Sequence, residues 1–323
     1  MCIIVTKPMK KCLIIINKNA GSSKKISFDK VQKVLGGDFC YDHCTLPCNQ
    51  SVDLKGYDAV CVCGGDGTLG SILQIAADMP VKVFYFPVGT LNDKAKAERY
   101  SHLKQKSTLD CSKTAKNNRK NSIEDCKNNA MPIVVGKCGK KGEQNGDTIF
   151  SYVFAAGSFT PIGYTSDVKE KQKFGALAYV AKVFKEYRPH RINMALDVDG
   201  NKIEGEFSLV MFVKSPRCFG FRFNKAYDKQ SESGHLLLIR SPKHKGALGY
   251  IEMFFPFFRS FFVGLKKERD KGSIIFKKVK RVNMQIQAPL TFCKDGEKHT
   301  LEKGEYTVSF AKSVCDFCVI DKF

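Results

Sequence analysis

Acidic residues are scarce in this chain: 32 Asp and Glu stand against 53 Lys and Arg, a formal charge of +21 over 323 residues. Such a balance favours anionic partners, whether nucleic acid, ATP or an acidic membrane surface, with a generally basic surface as the plain alternative. Also missing is any stretch near the roughly 18 uncharged apolar residues that a membrane-crossing helix needs. The nearest approach, Met253 to Leu265, is broken by Pro256 and Arg259. No secretory leader is legible, because the apolar start Cys2 to Val5 is followed by Lys7 and Pro8. With fourteen scattered cysteines and no leader, a reduced, cytoplasmic chain is expected. Paired CxxC knuckles are lacking: Cys40, Cys44 and Cys48 with His43, and Cys315 with Cys318, do not have structural-zinc spacing. None of the six histidines joins a Ser or Cys in a nucleophile motif, so hydrolase chemistry finds no support. Internal repeats are absent.

What the chain does have is a sequence of glycine turns behind apolar runs. Tyr57 to Cys63 stops at Gly64-Gly65-Asp66-Gly67-Thr68, and Leu69, Ile72, Leu73, Ile75 and Ala76 follow with helical spacing. Glycines let backbone N–H groups converge on an anion, and a helix N-terminus behind them adds its dipole. Asp66 falls in that turn, in a loop ahead of the helix. A second run, Val81 to Phe86, ends in Pro87-Val88-Gly89-Thr90-Leu91-Asn92-Asp93; a third, Cys12 to Ile16, ends in Asn17-Lys18-Asn19-Ala20-Gly21-Ser22-Ser23. The spacing predicts strands over 12–16, 39–44, 58–63 and 82–86 and helices over 25–35 and 69–77, the alternation of a doubly wound parallel sheet. In such sheets ligands bind beyond the carboxyl ends of the strands, so the three loops are expected to meet at one site. Asn92 has a second reading, as a cap for the helix behind it.

These motifs resemble those of the diacylglycerol kinase catalytic-domain family, which includes sphingosine kinases and bacterial lipid kinases. GGDGT at 64–68, PVGTLND at 87–93 and NKNAGSS at 17–23 carry the resemblance in the first half. In the second half it rests on 150–157, on 159–165, on 174–179 and on Asp295-Gly296-Glu297. GGDGT alone is shared with NAD kinases and 6-phosphofructokinases; the GT-L-ND turn and the late DGE favour the lipid kinases. The resemblance implies an α/β N-terminal domain of NAD-kinase and phosphofructokinase type (1–128), and a mostly antiparallel C-terminal β-sandwich (129–323) whose last residues return to the first domain. It implies ATP with Mg²⁺ as cofactors. The nucleotide side would be Asn17, Gly64, Gly65, Gly67, Thr68, Gly89, Thr90 and Asn92. The catalytic carboxylates would be Asp66, as general base or Mg²⁺ positioner, with Asp295 and Glu297. Against the last pair stands the plain reading of Asp-Gly as a hairpin turn. One departure is visible: where many bacterial members carry Asp-Gly before a strand, this chain has Ser233-Gly234-His235, which puts a structural metal associated with that aspartate in doubt and leaves the metal ligands unknown.

The second half also reads directly as antiparallel β: short apolar runs, among them Ile149–Ala155 and Tyr306–Phe310, are separated by polar turns, and Asp199-Gly200 is a tight hairpin signal. A helix is expected over 174–187, and the Lys- and Asn-rich stretch 104–129 reads as a linker or exposed helix. The Phe-rich segment 254–265 precedes a basic stretch in which eight Lys and Arg outnumber two acids between Lys266 and Arg281. It reads either as core or as an interfacial anchor. The expected function is ATP-dependent transfer of a phosphoryl group to a diacylglycerol-like or sphingoid lipid, by a cytoplasmic protein associated peripherally with an anionic membrane. The alternatives are a soluble NAD-kinase-like enzyme and an inactive lipid- or nucleic-acid-binding relative. No nucleic acid partner is expected, and a homodimer stays open.

Overall fold

The computed structural model describes residues 9–48, 51–99, 123–143, 146–158, 160 and 190–320. The motifs at 161–165 and 174–179, Phe159, the helix expected over 174–187 and most of the 104–129 stretch lie outside them. In the first half, β1 (Lys10–Asn17), β2 (Phe39–Leu46), β3 (Ala59–Gly64) and β4 (Lys82–Pro87) pair in parallel in the order β2-β1-β3-β4. Helix α1 (Phe28–Leu35) connects β1 to β2, α2 (Asp66–Ala76) connects β3 to β4, and α3 (93–99) follows β4. The period-2 alternation of a buried strand decides which helix goes where. Cys12, Ile14 and Ile16 of β1 face α1 through Val31 and Leu35. Leu13 and Ile15 face α2 through Leu69, Ile72, Leu73 and Ala76. A sheet covered on both faces needs apolar residues at every position, which is why these strands read as continuous hydrophobic runs.

Helix α4 (Ile123–Asn129) leads into the second half. Its strands are β5 (Met131–Lys140), β6 (Thr148–Phe150), β7 (Val153–Gly157), β8 (Ile192–Val198), β9 (Asn201–Val213) and β10 (Gly234–Arg240). Then come α5 (Gly246–Phe258), a π-turn (Arg259–Val263), β11 (Arg269–Lys271), β12 (Ile274–Val279), β13 (Arg281–Ile286), β14 (Leu290–Lys294), β15 (Glu297–Leu301) and β16 (Gly304–Val319). Side chains of these strands enclose one core that includes Phe154, Phe212, Leu238, Val282, Phe292 and Phe310. The pairing is antiparallel throughout except at β16. That strand runs antiparallel to β5 and β13, then continues past Lys312 to pair in parallel with β4 over Asp316–Val319. It therefore makes one continuous sheet of both halves.

Three sequence expectations need correcting. The run Ile149–Ala155 is two strands, β6 and β7, interrupted at Ser151 and Tyr152. The expectation of a fully reduced chain fails at one pair, since Cys126 of α4 is disulfide-bonded to Cys318 of β16 across a Cα separation of 5.5 Å. Asp66 is the first residue of α2, not a loop residue ahead of it. The hairpin signals hold: Asp199 and Gly200 turn β8 into β9 with φ of 52° and 81°, and Asp295 and Gly296 turn β14 into β15 with φ of 50° and 99°. Positive φ is tolerated by Asp and free to Gly, the chemistry of a two-residue turn.

Candidate active site

The three glycine loops meet at the carboxyl ends of β1, β3 and β4. Ser22 N–H donates to the Val88 carbonyl at 2.8 Å and Val88 N–H to the Gly64 carbonyl at 2.9 Å, stitching loop to loop. Asn17 Nδ2 donates to Thr68 Oγ1 at 2.7 Å, so the first loop also grips the first turn of α2. The glycines are needed here for close approach. A Cβ on Gly89 would lie 2.6 Å from the Gly65 Cα, and one on Gly64 would lie 2.5 Å from the Thr68 side chain. The α2 N-terminus, with Gly65 as N-cap, has no side-chain cap, which leaves a positive helix end directed to the loops. Thr90 flanks the same junction, its Oγ1 3.1 Å from where a Cβ on Gly21 would stand.

Asp66 is buried, and both carboxylate oxygens are engaged: Oδ2 accepts from Asp93 N–H at 2.8 Å and Oδ1 from Lys94 N–H at 3.2 Å. It thereby caps α3 from across the site. Asn92, the residue whose carbonyl opens α3, does not cap with its side chain; its Nδ2 turns back to the Gly89 and Pro87 carbonyls at 2.7 and 3.3 Å. The Asn92 Oδ1 is buried without a hydrogen-bond partner. Asp93, quoted within a motif but not singled out by sequence, is fully buried and bridges the halves. Its carboxylate accepts from Gly220 N–H at 2.8 Å and pairs with Arg217 Nε at 3.4 Å. Burial, then Asp93 beside it, pushes the Asp66 carboxyl up to about 7, against the two N–H groups that act to lower it.

The DGE turn arrives from the other half. Asp295 is buried and accepts backbone N–H bonds from Ser151, Tyr152 and Val153 at 2.5, 3.0 and 3.1 Å, in the break between β6 and β7. Burial raises its carboxyl despite those donors. Its Oδ2 lies 2.9 Å from where a Cβ on Gly70 of α2 would stand. Glu297 is exposed, and its Oε1 occupies the space that a methyl group on Gly67 would fill. Glu297 thus rests on the GGDGT turn itself, at the positive end of α2. The hairpin thus brings Asp295 and Glu297 up to α2 and the glycine turn at its start.

Around this centre lies a second set that sequence reasoning missed. Lys94 is buried and pairs with Glu98 at 3.0 Å, and Glu98 also takes Lys229 of the second half at 2.7 Å. Burial acts to raise the Glu98 carboxyl, but Lys94 and Lys229 prevail and hold it at about 2. Near Ser233, buried Lys214 donates its ammonium to the carbonyls of Asp228, Ser231 and Ser233. A lysine cation therefore fills the carbonyl cage of the loop for which a metal stood in doubt. Half-buried Glu232 pairs with Lys280 and Lys312. Among the described residues no group of three His, Cys, Asp or Glu side chains is placed to hold a metal ion. A cavity of about 690 Å³ lies at the amino-terminal ends of the parallel strands, lined by Lys10, Asp58 and Lys82 among others, away from these loops.

The fold is similar to that of solved diacylglycerol kinases and of an NADH kinase. Residues 11–124 match the family model described as Diacylglycerol kinase catalytic domain. A curated diacylglycerol kinase of Staphylococcus aureus (strain bovine RF122 / ET3-1) is 26% identical over 252 residues, covering 75% of this chain and 69% of that protein. A crystal structure of a diacylglycerol kinase from Bacillus anthracis str. Sterne superimposes with a TM-score of 0.56 at 15% identity, over 97% of each chain. Yeast NADH kinase complexed with NADH shares the fold at a TM-score of 0.50 and 12% identity, over 98% of this chain and 85% of that one. The resemblance drawn from the motifs stands, and it supports a phosphotransferase with an alcohol group as acceptor.

Proposed function

We propose that this protein is an ATP-dependent lipid kinase that moves the γ-phosphoryl group of ATP to a hydroxyl of a diacylglycerol-like or sphingoid lipid at an anionic membrane surface. The observation that carries the reading is the placement of Glu297, from the second half, over Gly67 in the GGDGT turn of the first. Phosphoryl transfer needs a phosphate cradle, charge neutralisation and a carboxylate that takes the acceptor's proton. The cradle is the α2 N-terminus with Gly64, Gly65, Gly67, Thr68, Gly89 and Thr90 around it. Reach supports a division of roles among the carboxylates. Asp66 and Asp295 are buried and tied to backbone N–H groups, so they position, whereas Glu297 is exposed at the mouth and can accept a proton from a hydroxyl.

Mg²⁺ fits this arrangement as a companion of the nucleotide. It is usually held by one or two carboxylates together with substrate phosphates, not by an all-protein cage. Burial is the main cause that raises the Asp66 carboxyl to about 7, and Asp93 and then Asp295 add to it negative charge of the kind a cation would relieve. When bound, the ion supplies charge neutralisation at the transferring phosphates. The test is phosphate transfer from γ-labelled ATP to a panel of diacylglycerol, sphingosine, polyprenol and NAD. Label in diacylglycerol or sphingosine is expected; label in NAD alone overturns the lipid reading.

A further inference from the structure

The Phe-rich segment sorts its residues by face. Met253, Pro256, Phe257 and Ser260 point inward, onto a core that includes Tyr152, Val153 and Phe223. Ile251, Phe254, Phe255, Phe258 and Phe262 point outward, with Phe255 65% and Phe262 51% exposed. Eight of the eleven large hydrophobic side chains exposed among the described residues fall between Leu248 and Val263. The outward rings form a ladder, Phe254 on Phe258 at 5.6 Å and Phe258 on Phe262 at 5.2 Å between centroids. A contiguous apolar patch of this kind on a protein surface marks a contact site.

Charge decides what it contacts. The one acid within α5 and the π-turn, Glu252, is tied to His244 at 2.5 Å. Exposed lysines stand at both ends of the segment, Lys243 and Lys245 before it and Lys266 and Lys267 after it. Two copies packing through this face would bring like charges together, which disfavours self-association. An anionic leaflet meets both features at once, accepting rings at its acyl border and lysines at its headgroups. We infer that the outer face of α5 and its π-turn docks this protein on an anionic lipid bilayer. Docking there also serves the site, and in this respect the inference rests on the lipid-kinase reading. Phe262 packs against Phe221 at 5.1 Å, and the preceding residue, Gly220, donates to Asp93. A lipid hydroxyl entering beside the embedded rings is therefore one loop away from the carboxylates.

Sedimentation with phosphatidylcholine vesicles, with and without phosphatidylglycerol, tests the surface. The full chain is expected to bind only the anionic vesicles and to lose binding as salt shortens the Debye length below about 8 Å. The double variant Phe255→Ser/Phe258→Ser, both rings being exposed, should keep the wild-type melting temperature and bind about tenfold or more weakly. Lys266→Gln/Lys267→Gln should reduce binding at low salt and little at high salt. Wild-type binding by the phenylalanine variant overturns the inference. So does a dimer in sedimentation equilibrium that the same substitutions dissolve, with no vesicle binding by either form. A short-chain, water-soluble diacylglycerol separates the two proposals. Wild-type turnover of it by Phe255→Ser/Phe258→Ser, with turnover on vesicles lost, supports the surface. If the wild type binds anionic vesicles through these rings but phosphorylates no lipid, the surface stands and the kinase reading falls.

Discussion

Asp66 takes part in two jobs that a sequence cannot separate: it caps α3 through the Asp93 and Lys94 N–H groups, and it adds its charge to the site. Asp66→Asn removes a charge beside the glycine loops and one of the acceptors that fix α3, so through lost positioning it should cut turnover by a factor on the order of 10². The wild-type rate should rise with pH through about 7, where this carboxyl loses its proton, and the variant should lack that limb. Stability should move the other way. The folded value near 7 lies above the unfolded one near 3.9, so the stability from the bound proton is complete below pH about 4 and is lost as pH rises through about 7. Melting curves between those limits should therefore fall more steeply for the wild type than for Asp66→Asn. Gly67 is a cleaner probe of geometry, because the three atoms nearest to its added methyl all belong to the flexible Glu297 side chain. Gly67→Ala should keep the wild-type melting temperature and lose about tenfold or more in rate; unchanged turnover would remove Glu297 from its place over the turn.

At the scale of elements, the strand–loop–helix order of the first half was legible because a doubly covered sheet leaves uninterrupted runs such as Cys12–Ile16 and Val60–Cys63, each followed by a turn that contains glycine. The hairpins at Asp199 and Asp295 were legible from two residues each. The break at Ser151 and Tyr152 was not, because its cause is a carboxylate more than 140 positions away in sequence. Asp93 and Glu98 escaped for the same reason: their partners Gly220, Arg217 and Lys229 sit in the other half. The β14–β15 hairpin is thus held to the β6–β7 break by three N–H bonds to Asp295. Asp295→Ala would strand these buried donors at about 1–3 kcal/mol each. A loss of several kcal/mol in denaturant unfolding is expected, with Asp295→Asn intermediate because one oxygen remains to accept. A near-native midpoint for the alanine variant would show that the turn holds without the carboxylate.

At the scale of the molecule, β16 decides how the halves relate. Its first part closes the antiparallel core through Tyr306, Val308 and Phe310, and its end supplies the strand beside β4 through Phe317 and Val319. Composition marked a change of texture near residue 130 but could not mark this return, since one apolar strand reads like another. A chain stopped after Ser313 should expose β4 along its length and lose cooperative melting; retention of a single sharp transition would contradict that role. The central claim is that Glu297, carried by the second half, completes a phosphoryl-transfer site built on the first. It is tested most directly by comparing wild type and Glu297→Gln in transfer of the labelled γ-phosphoryl group of ATP to diacylglycerol in mixed micelles, with ATP affinity measured alongside. Turnover reduced by a factor on the order of 10², with ATP affinity within several-fold of the wild type, is the predicted result; wild-type turnover by Glu297→Gln would contradict the account.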